Sequence, residues 1–346
     1  MAKVTVADLA RECGVSTATV SMVLSNKGRI SAGTRQKVMT AIEKLGYVYN
    51  QQAANFRSQT SNQVGLLLQD ITNPFYSELV AGLSHQTEMN GMMMFIGNSE
   101  ESIERQQKFV EAISRNSACG LILCLARNTP VSFITRLKKL SFPVVLVARP
   151  SPGLPFDYVG TDNVSGARLA TDHLISLGHR NIAFIGGLPD SVSRIHRIEG
   201  YSSRLLEAGI EPDANWIISC ESTRAAGAKA VTALLTRYPQ ITAIVFHQDI
   251  IALGAVQGLR RMGRIIGKDI SIVGFDDVPE ASLIEPSLTT ISVEAHEIGR
   301  VAGEILLTRL ADNQAPPQTI ILYPTLIKRD SSGCCPIIPA ETADRT

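Results

Sequence analysis

Residues able to do covalent chemistry are present throughout the chain, but not at reactive spacings. The nucleophile pattern GxSxG, the zinc-protease pattern HExxH and the phosphate-cradling GxxxxGK[ST] are absent. Gly186-Gly187 after an apolar run is too little for a dinucleotide loop and reads as a turn. The six histidines form no ligand-like cluster, and Cys13, Cys119, Cys124, Cys220, Cys334 and Cys335 show no CxxC pair. Reduced thiols, no metal and no cofactor are therefore the expectation. What the chain does offer is a polar series, Ser16, Thr17, Ala18, Thr19, Ser21 and Met22, just after Cys13-Gly14-Val15. Cys13 to Ser16 has the length of a helix-turn-helix connection. In such a motif the first residues of the second helix lie nearest the base edges, here Thr17, Ala18 and Met22, with Thr19 and Ser21 near the phosphates.

Three short helices would position that series. Thr5 with Asp8 three residues on makes a capping box, and Val6, Leu9, Ala10 and Cys13 follow at helical spacing up to Gly14. Ser16 can cap a second helix facing inward through Val20, Val23 and Leu24, with Val15 as a staple. Ser31 can cap a third, with Val38, Ala41, Ile42 and Leu45 on one face and Gly46 just past its end. Residues 1–60 carry eight Lys/Arg against three acids, a net +5, which leaves −4 for the rest of a chain whose net charge is +1. A basic head on an acidic body suits contact with a polyanion.

The 346 residues, 45% hydrophobic and 19% charged, suit a small unit plus a larger globular one. No apolar run reaches the ~18 residues of a membrane span, and the first residues lack the pattern of a signal peptide. The chain reads as cytoplasmic and off the membrane. From 50 to 62 the composition turns polar, as in a linker or marginal helix. Beyond it, short apolar runs at 64–68, 93–96, 120–124 and 144–148, then at 182–185, 216–219, 243–246 and 270–275, alternate with amphipathic stretches such as 103–113 and 167–177. That alternation predicts a body of two doubly wound parallel sheets with a ligand cleft between them.

These same residues carry a resemblance over nearly the whole chain. Val4-Thr5-Val6-Ala7-Asp8-Leu9-Ala10, Gly14-Val15-Ser16-Thr17-Ala18-Thr19-Val20-Ser21 and Ser31-Ala32-Gly33-Thr34-Arg35-Gln36-Lys37-Val38 resemble the head of the LacI/GalR repressors. The stretch AIEKLGYVYNQQAA at 41–54 extends the match. In the body, Asp70-Ile71-Thr72-Asn73-Pro74-Phe75-Tyr76, Gly178-His179, Ala252-Leu253-Gly254 and Val273-Gly274-Phe275-Asp276-Asp277 resemble the family's periplasmic-binding-protein-like core. The resemblance implies a small all-α helix-turn-helix head at 1–49, a hinge at 50–62, an α/β core of two lobes at 63–330 and a flexible tail at 331–346. Lobe 1 would hold 63–161 and 293–321, and lobe 2 would hold 162–292 and 322–330.

By that resemblance the chain is a DNA-binding repressor of a carbohydrate operon. Its partners would be a pseudo-palindromic double-stranded operator, a carbohydrate-like effector and a second copy of itself in a homodimer. DNA contacts fall to Thr5, Ser16, Thr17, Ala18, Thr19, Ser21 and Met22 in the head, and to Asn50, Ala53, Phe56 and Arg57 in the hinge. Met22 replaces a frequent arginine, exchanging a bidentate guanine contact for an apolar one suited to a thymine methyl. Phe56 stands where the family inserts a leucine into the minor groove; it either wedges a base step or packs on the body. Effector contacts fall to Asn73, Phe75, Tyr76, Arg149, Ser193, Arg197, Ser222, Gln248 and Asp276. A planar donor fork such as Arg197 with a carboxylate such as Asp276 suits vicinal hydroxyls. Asp276 is alternatively a helix cap or a lobe salt bridge. Ala148, Ser222 and Val293 replace acidic, aromatic and polar residues, which removes two polar handles and one stacking ring. Arg149 favours an anionic ligand or joins the lobes. A secreted binding protein would share the body but not the basic head, and an enzyme would need a convergent reactive site.

Overall fold

A computed structural model of the chain describes residues 4–24, 28–47, 61–151, 153, 155–312 and 314–336. The chain divides into two compact units, Met1–Ser61 and Asn62–Thr346.

The first unit holds α1 (Val6–Cys13), α2 (Thr17–Leu24) and α3 (Ala32–Leu45). The reciprocal cap forms as the spacing requires. The Asp8 amide donates to Thr5 Oγ1 at 3.3 Å while the Thr5 amide donates to Asp8 Oδ2 at 2.9 Å. Ser16 and Ser31 accept from the amides of Thr19 and Thr34 at 3.1 and 3.2 Å. Gly14 and Gly46 end α1 and α3 at φ +64° and +62°, a conformation that costs glycine nothing. Leu9, Ala10, Val20, Val23, Val38 and Ala41 make the shared core.

The second unit is two lobes, each built on a six-stranded sheet. In lobe 1 the strands are β1 (Gln63–Leu68), β2 (Met93–Asn98), β3 (Gly120–Leu123), β4 (Val144–Val147), β5 (Asp157–Thr161) and β11 (Thr319–Leu322). Their order is β11-β5-β4-β3-β1-β2 and every pairing is parallel. Helices α4 (Pro74–Met89), α5 (Ile103–Arg115), α6 (Val131–Leu137) and α12 (Ala295–Ala311) connect these strands. In lobe 2 the strands are β6 (Ile182–Ile185), β7 (Ile217–Ile218), β8 (Ala243–Phe246), β9 (Ser271–Asp276), β10 (Thr289–Ser292) and β12 (Thr325–Ile327), in the order β12-β10-β9-β8-β6-β7. Only β12 runs antiparallel among these pairings. Its helices are α7 (Asn163–Ser176), α8 (Val192–Glu207), α9 (Arg224–Arg237), α10 (Asp249–Arg261) and the short α11 (Glu280–Leu283).

The chain crosses between lobes three times, after β5, after β10 and after β11. The central strands β3, β4, β6 and β8 are buried along their whole length, which is why they read as unbroken apolar runs. Strands β5, β10, β11 and β12 gave no such run. Thr289 and Thr290 of β10 are fully buried, yet their hydroxyls donate to the Arg329 carbonyl at 3.0 Å and to Asp249 at 2.6 Å. Hydrogen bonding rather than apolarity makes these positions tolerable inside.

The tail expected to be flexible from 331 is instead docked through 336. Ser331 is fully buried, with its hydroxyl donating to the Ile272 carbonyl at 2.8 Å. The Cys335 amide donates to the Leu177 carbonyl at 2.9 Å, and the buried His179 ring meets Thr242, Ser271 and the Gly333 carbonyl. These contacts hold 331–336 against lobe 2, and 337–346 lie outside the described residues.

Candidate functional site

The head presents a polar helix end. Helix α2 buries Val20 and Val23, which turns Ser16, Thr17, Ala18 and Met22 outward, with Thr19 and Ser21 half-buried at the margin. Met22 is 37% exposed and lies over Gly28. Thr5 is exposed, but its hydroxyl already donates to Asp8 Oδ2 at 2.7 Å. Asn50, Ala53, Phe56 and Arg57 lie outside the described residues.

In the second unit the carboxyl ends of both sheets and the first turns of the helices after them face one another, as expected for a ligand crevice in open α/β sheets. An inner chamber of about 60 Å³ lies between Tyr76, Cys124, Val293, Arg197, Gln248 and Asp276. It continues into an outer space of about 530 Å³. Gln69, Tyr76, Arg149, Ser193 and Gln248 border both.

Arg197, on α8, holds the inner chamber together. Its Nε donates to Asn163 Oδ1 at 2.7 Å, Nη1 donates to the His247 carbonyl, and Nη2 lies 3.7 Å from Asp276 Oδ1. Its guanidinium stacks 3.6 Å from the centre of the Phe275 ring. Burial pulls Arg197 down to about 10, although Asp276 opposes the shift. Burial likewise pushes Asp276 up to about 8, against the pull of Arg197. Asp276 Oδ2 is buried and has no hydrogen-bond partner among the described residues, and the same holds for His247 Nδ1. A buried polar atom left open in this way costs free energy that a hydrogen bond from a ligand hydroxyl would recover. Next to it Asp249 is fully satisfied, accepting from Thr290 Oγ1 and, at 3.0 Å, from the Val278 amide. It comes within reach because residue 274 is glycine: a Cβ there would sit 1.9 Å from Asp249 Oδ1.

Lobe 1 covers the chamber with aromatic rings. Phe75 and Tyr76 meet edge to face with centroids 5.0 Å apart. The Tyr76 hydroxyl donates to Gln69 Oε1, and Gln69 Nε2 donates to the Leu125 carbonyl at 2.7 Å. Burial raises the Tyr76 pKa well above its usual value, so this hydroxyl stays a donor. Asn73 borders the outer space while its Oδ1 caps α4 through the Phe75 amide at 3.1 Å.

Arg149 does not make the lobe-to-lobe contact that is one of its two expected roles. Both its Nη atoms donate to Glu101, at 3.0 and 3.1 Å, and Nη1 also donates to the Leu125 carbonyl at 2.7 Å. All three residues belong to lobe 1, so Arg149 does not join the lobes. Asp190 of lobe 2 makes that connection, accepting from Arg127 Nη1 and Asn128 Nδ2 of lobe 1, each at 2.6 Å. Hydrogen bonding to Arg127 lowers the Asp190 pKa. Glu101 reaches this clasp as well, accepting from the Arg127 amide at 2.7 Å.

The nine expected effector residues therefore gather on one crevice. Arg197, Asp276 and Phe75 line the inner chamber, Asn73 and Ser222 the outer space, and Tyr76, Arg149, Ser193 and Gln248 both. Sequence reading missed Gln69, Glu101, Arg127, Asn163, Asp190 and His247. Of these, backbone strain marks only Glu101, at φ +59°. Non-glycine residues at positive φ cluster on the crevice rim: Glu100, Glu101, Asn128, Ala148, Asp276 and Asp277.

Residues 5–50 match the family model for bacterial regulatory proteins of the lacI family, and 171–332 match the periplasmic binding protein-like domain. The maltose regulon regulatory protein MalI of Escherichia coli (strain K12) is 33% identical over 334 residues, 94% of this chain and 98% of that protein. Among solved structures, a lac repressor dimer bound to operator and the anti-inducer ONPF superposes with a TM-score of 0.84 at 27% identity, covering 96% of this chain and 100% of that one. The transcriptional regulator CelR in complex with cellobiose gives a TM-score of 0.72 at 30% identity, covering 95% and 100%. With a capped helix-turn-helix head, a two-lobed body and relatives matching along their whole length, the chain belongs to the lacI family of bacterial regulatory proteins.

Proposed function

We propose that the chain is a sequence-specific transcriptional repressor of a carbohydrate-utilisation operon, whose affinity for operator DNA is set by a small polyhydroxyl ligand in the interlobe crevice. It acts in the cytoplasm as a homodimer on a pseudo-palindromic site, since one head buries too little surface to hold DNA tightly and two-fold symmetry matches two half-sites. Thr17, Ala18 and Met22 read base edges, while Thr5, Ser16, Thr19 and Ser21 fix the register on phosphates. Ala53 and Ala54 are small enough to let paired hinge segments approach, Phe56 wedges a minor-groove step, Arg57 meets a phosphate, and Asn50 contacts DNA at the start of the hinge. No catalytic role is assigned.

The observation that carries the ligand half of this reading is the open, buried Asp276 Oδ2 beside Arg197, a polar atom without a partner in the crevice of a lacI-family chain. A ligand changes operator affinity only by binding two lobe arrangements unequally. The Asp190 clasp gives one of them a defined contact. Lobe motion then changes the spacing of the hinge segments, so their marginal helices form in one state and melt in the other. The test is selection of random duplex DNA on the full chain, followed by anisotropy titration of the selected duplex with and without a panel of sugars. A selected pseudo-palindrome whose affinity shifts about 5- to 150-fold with one sugar supports the reading. Absence of any selected sequence removes it.

A further inference from the structure

Glu101 occupies the donors that would otherwise make this crevice an anion site. Its carboxylate takes both Nη atoms of Arg149 and the amide of Arg127, and lies 3.6 Å from Arg127 Nε. Arg127 spends its Nη1 on Asp190. Arg197 is committed to Asn163, His247 and Asp276. Among the described residues these are the three arginines bordering the inner chamber and the outer space, and each already faces an acidic side chain. Asp70 and Glu221 also border the outer space, with no ion pair to a lysine or arginine among the described residues. The open position in the inner chamber, Asp276 Oδ2, pairs readily with a sugar hydroxyl, which both donates and accepts. First-turn amides facing the crevice serve a hydroxyl oxygen as well as a phosphate oxygen, so they do not decide between the two.

We propose that Glu101 is a specificity-determining residue: by neutralising Arg149 and Arg127 it restricts the crevice to uncharged polyhydroxyl ligands and excludes their phosphorylated forms. The effector is then a sugar as it exists before any kinase acts on it, and the reaction class that consumes it is phosphorylation or hydrolysis. This rests on the reading of the crevice as a sugar site given above. Glu101 acts through the two arginines, so it positions charge and need not touch the ligand.

The experiment is calorimetric titration of the full-length wild-type protein, Glu101→Gln and Asp190→Asn with inorganic phosphate, glucose 6-phosphate, glucose, maltose and cellobiose, at constant ionic strength. Wild type is expected to bind neither phosphate probe. Glu101→Gln frees the Arg149 fork and is expected to bind glucose 6-phosphate and inorganic phosphate about tenfold or more tightly than wild type. Asp190→Asn, an exposed substitution that frees only part of Arg127, is expected to give a smaller gain. A merely structural role for Glu101 would lower the melting temperature without creating anion binding. Phosphate binding by wild type overturns the proposal, as does a folded Glu101→Gln protein with no gain; should that variant fail to fold, the absence of any gain in Asp190→Asn overturns it instead. If no neutral sugar in the panel binds wild type, the sugar reading is what suffers, and the phosphate arms still decide the role of Glu101.

Discussion

Replacing Asp276 by asparagine should make the ligand-free body more resistant to unfolding at pH 8 and blind to its effector. The side chain is 2% exposed, and burial holds its pKa at about 8 against a normal 3.8. Between those values the native state keeps a proton that the unfolded chain releases. Stability from this group is therefore full below pH 4 and is lost as pH rises towards 8. The shift is about four units at ~1.4 kcal/mol each, on the order of 5 kcal/mol over the whole window. From pH 6 to pH 8 the wild-type protein should lose about 2 kcal/mol relative to Asp276→Asn. Asp249, raised to about 6 by burial, adds slope of its own at lower pH, and its charge also raises Asp276, so the comparison is read above pH 6. The single tryptophan, Trp216, sits beside β7 in the same lobe, so urea unfolding followed by its fluorescence reports the relevant transition. Parallel stability-versus-pH curves for the two proteins would refute this account of Asp276.

Other substitutions test separate parts. Arg309→Met strips a bidentate partner at 2.7 and 2.8 Å from buried Asp157 and should destabilise lobe 1 by about 3–5 kcal/mol, read by urea titration. Met22→Arg should shift the preferred operator towards guanine at one position per half-site, by about 1–3 kcal/mol in competition with the unaltered duplex. Phe56→Ala should weaken operator binding and reduce the DNA bend measured by gel mobility, with no change in the melting of the body. Arg57→Ala should weaken all duplexes about equally and flatten the salt slope by about one unit.

Helix ends and central strands could be read because local chemistry determines them. The Thr5–Asp8 pair, Ser16, Ser31, Gly14 and Gly46 act within one turn, and β3, β4, β6 and β8 are apolar because both faces are covered. Thr289 and Thr290 hid β10, since their burial depends on partners some forty residues away, Asp249 and Arg329. The docked tail was hidden for the same reason: His179 and Ser271 are remote in sequence from Gly333. In the crevice, the resemblance to the family indicated Arg197 and Asp276. What Arg149 does was not legible, because its partner Glu101 lies 48 residues away on a loop with no distinctive pattern. Interlobe contact fell to Asp190 because only the fold brings the loop after β6 opposite the loop after β3.

The central claim is that occupancy of the crevice changes operator affinity. Its most direct test is anisotropy titration of the selected operator duplex with wild type and Asp276→Asn, each with and without the sugar that binds wild type in calorimetry. Wild type should shift about 5- to 150-fold on adding sugar, while Asp276→Asn binds the duplex like ligand-free wild type and does not respond. An unshifted wild-type affinity under saturating sugar, or an undiminished response in Asp276→Asn, would contradict the claim.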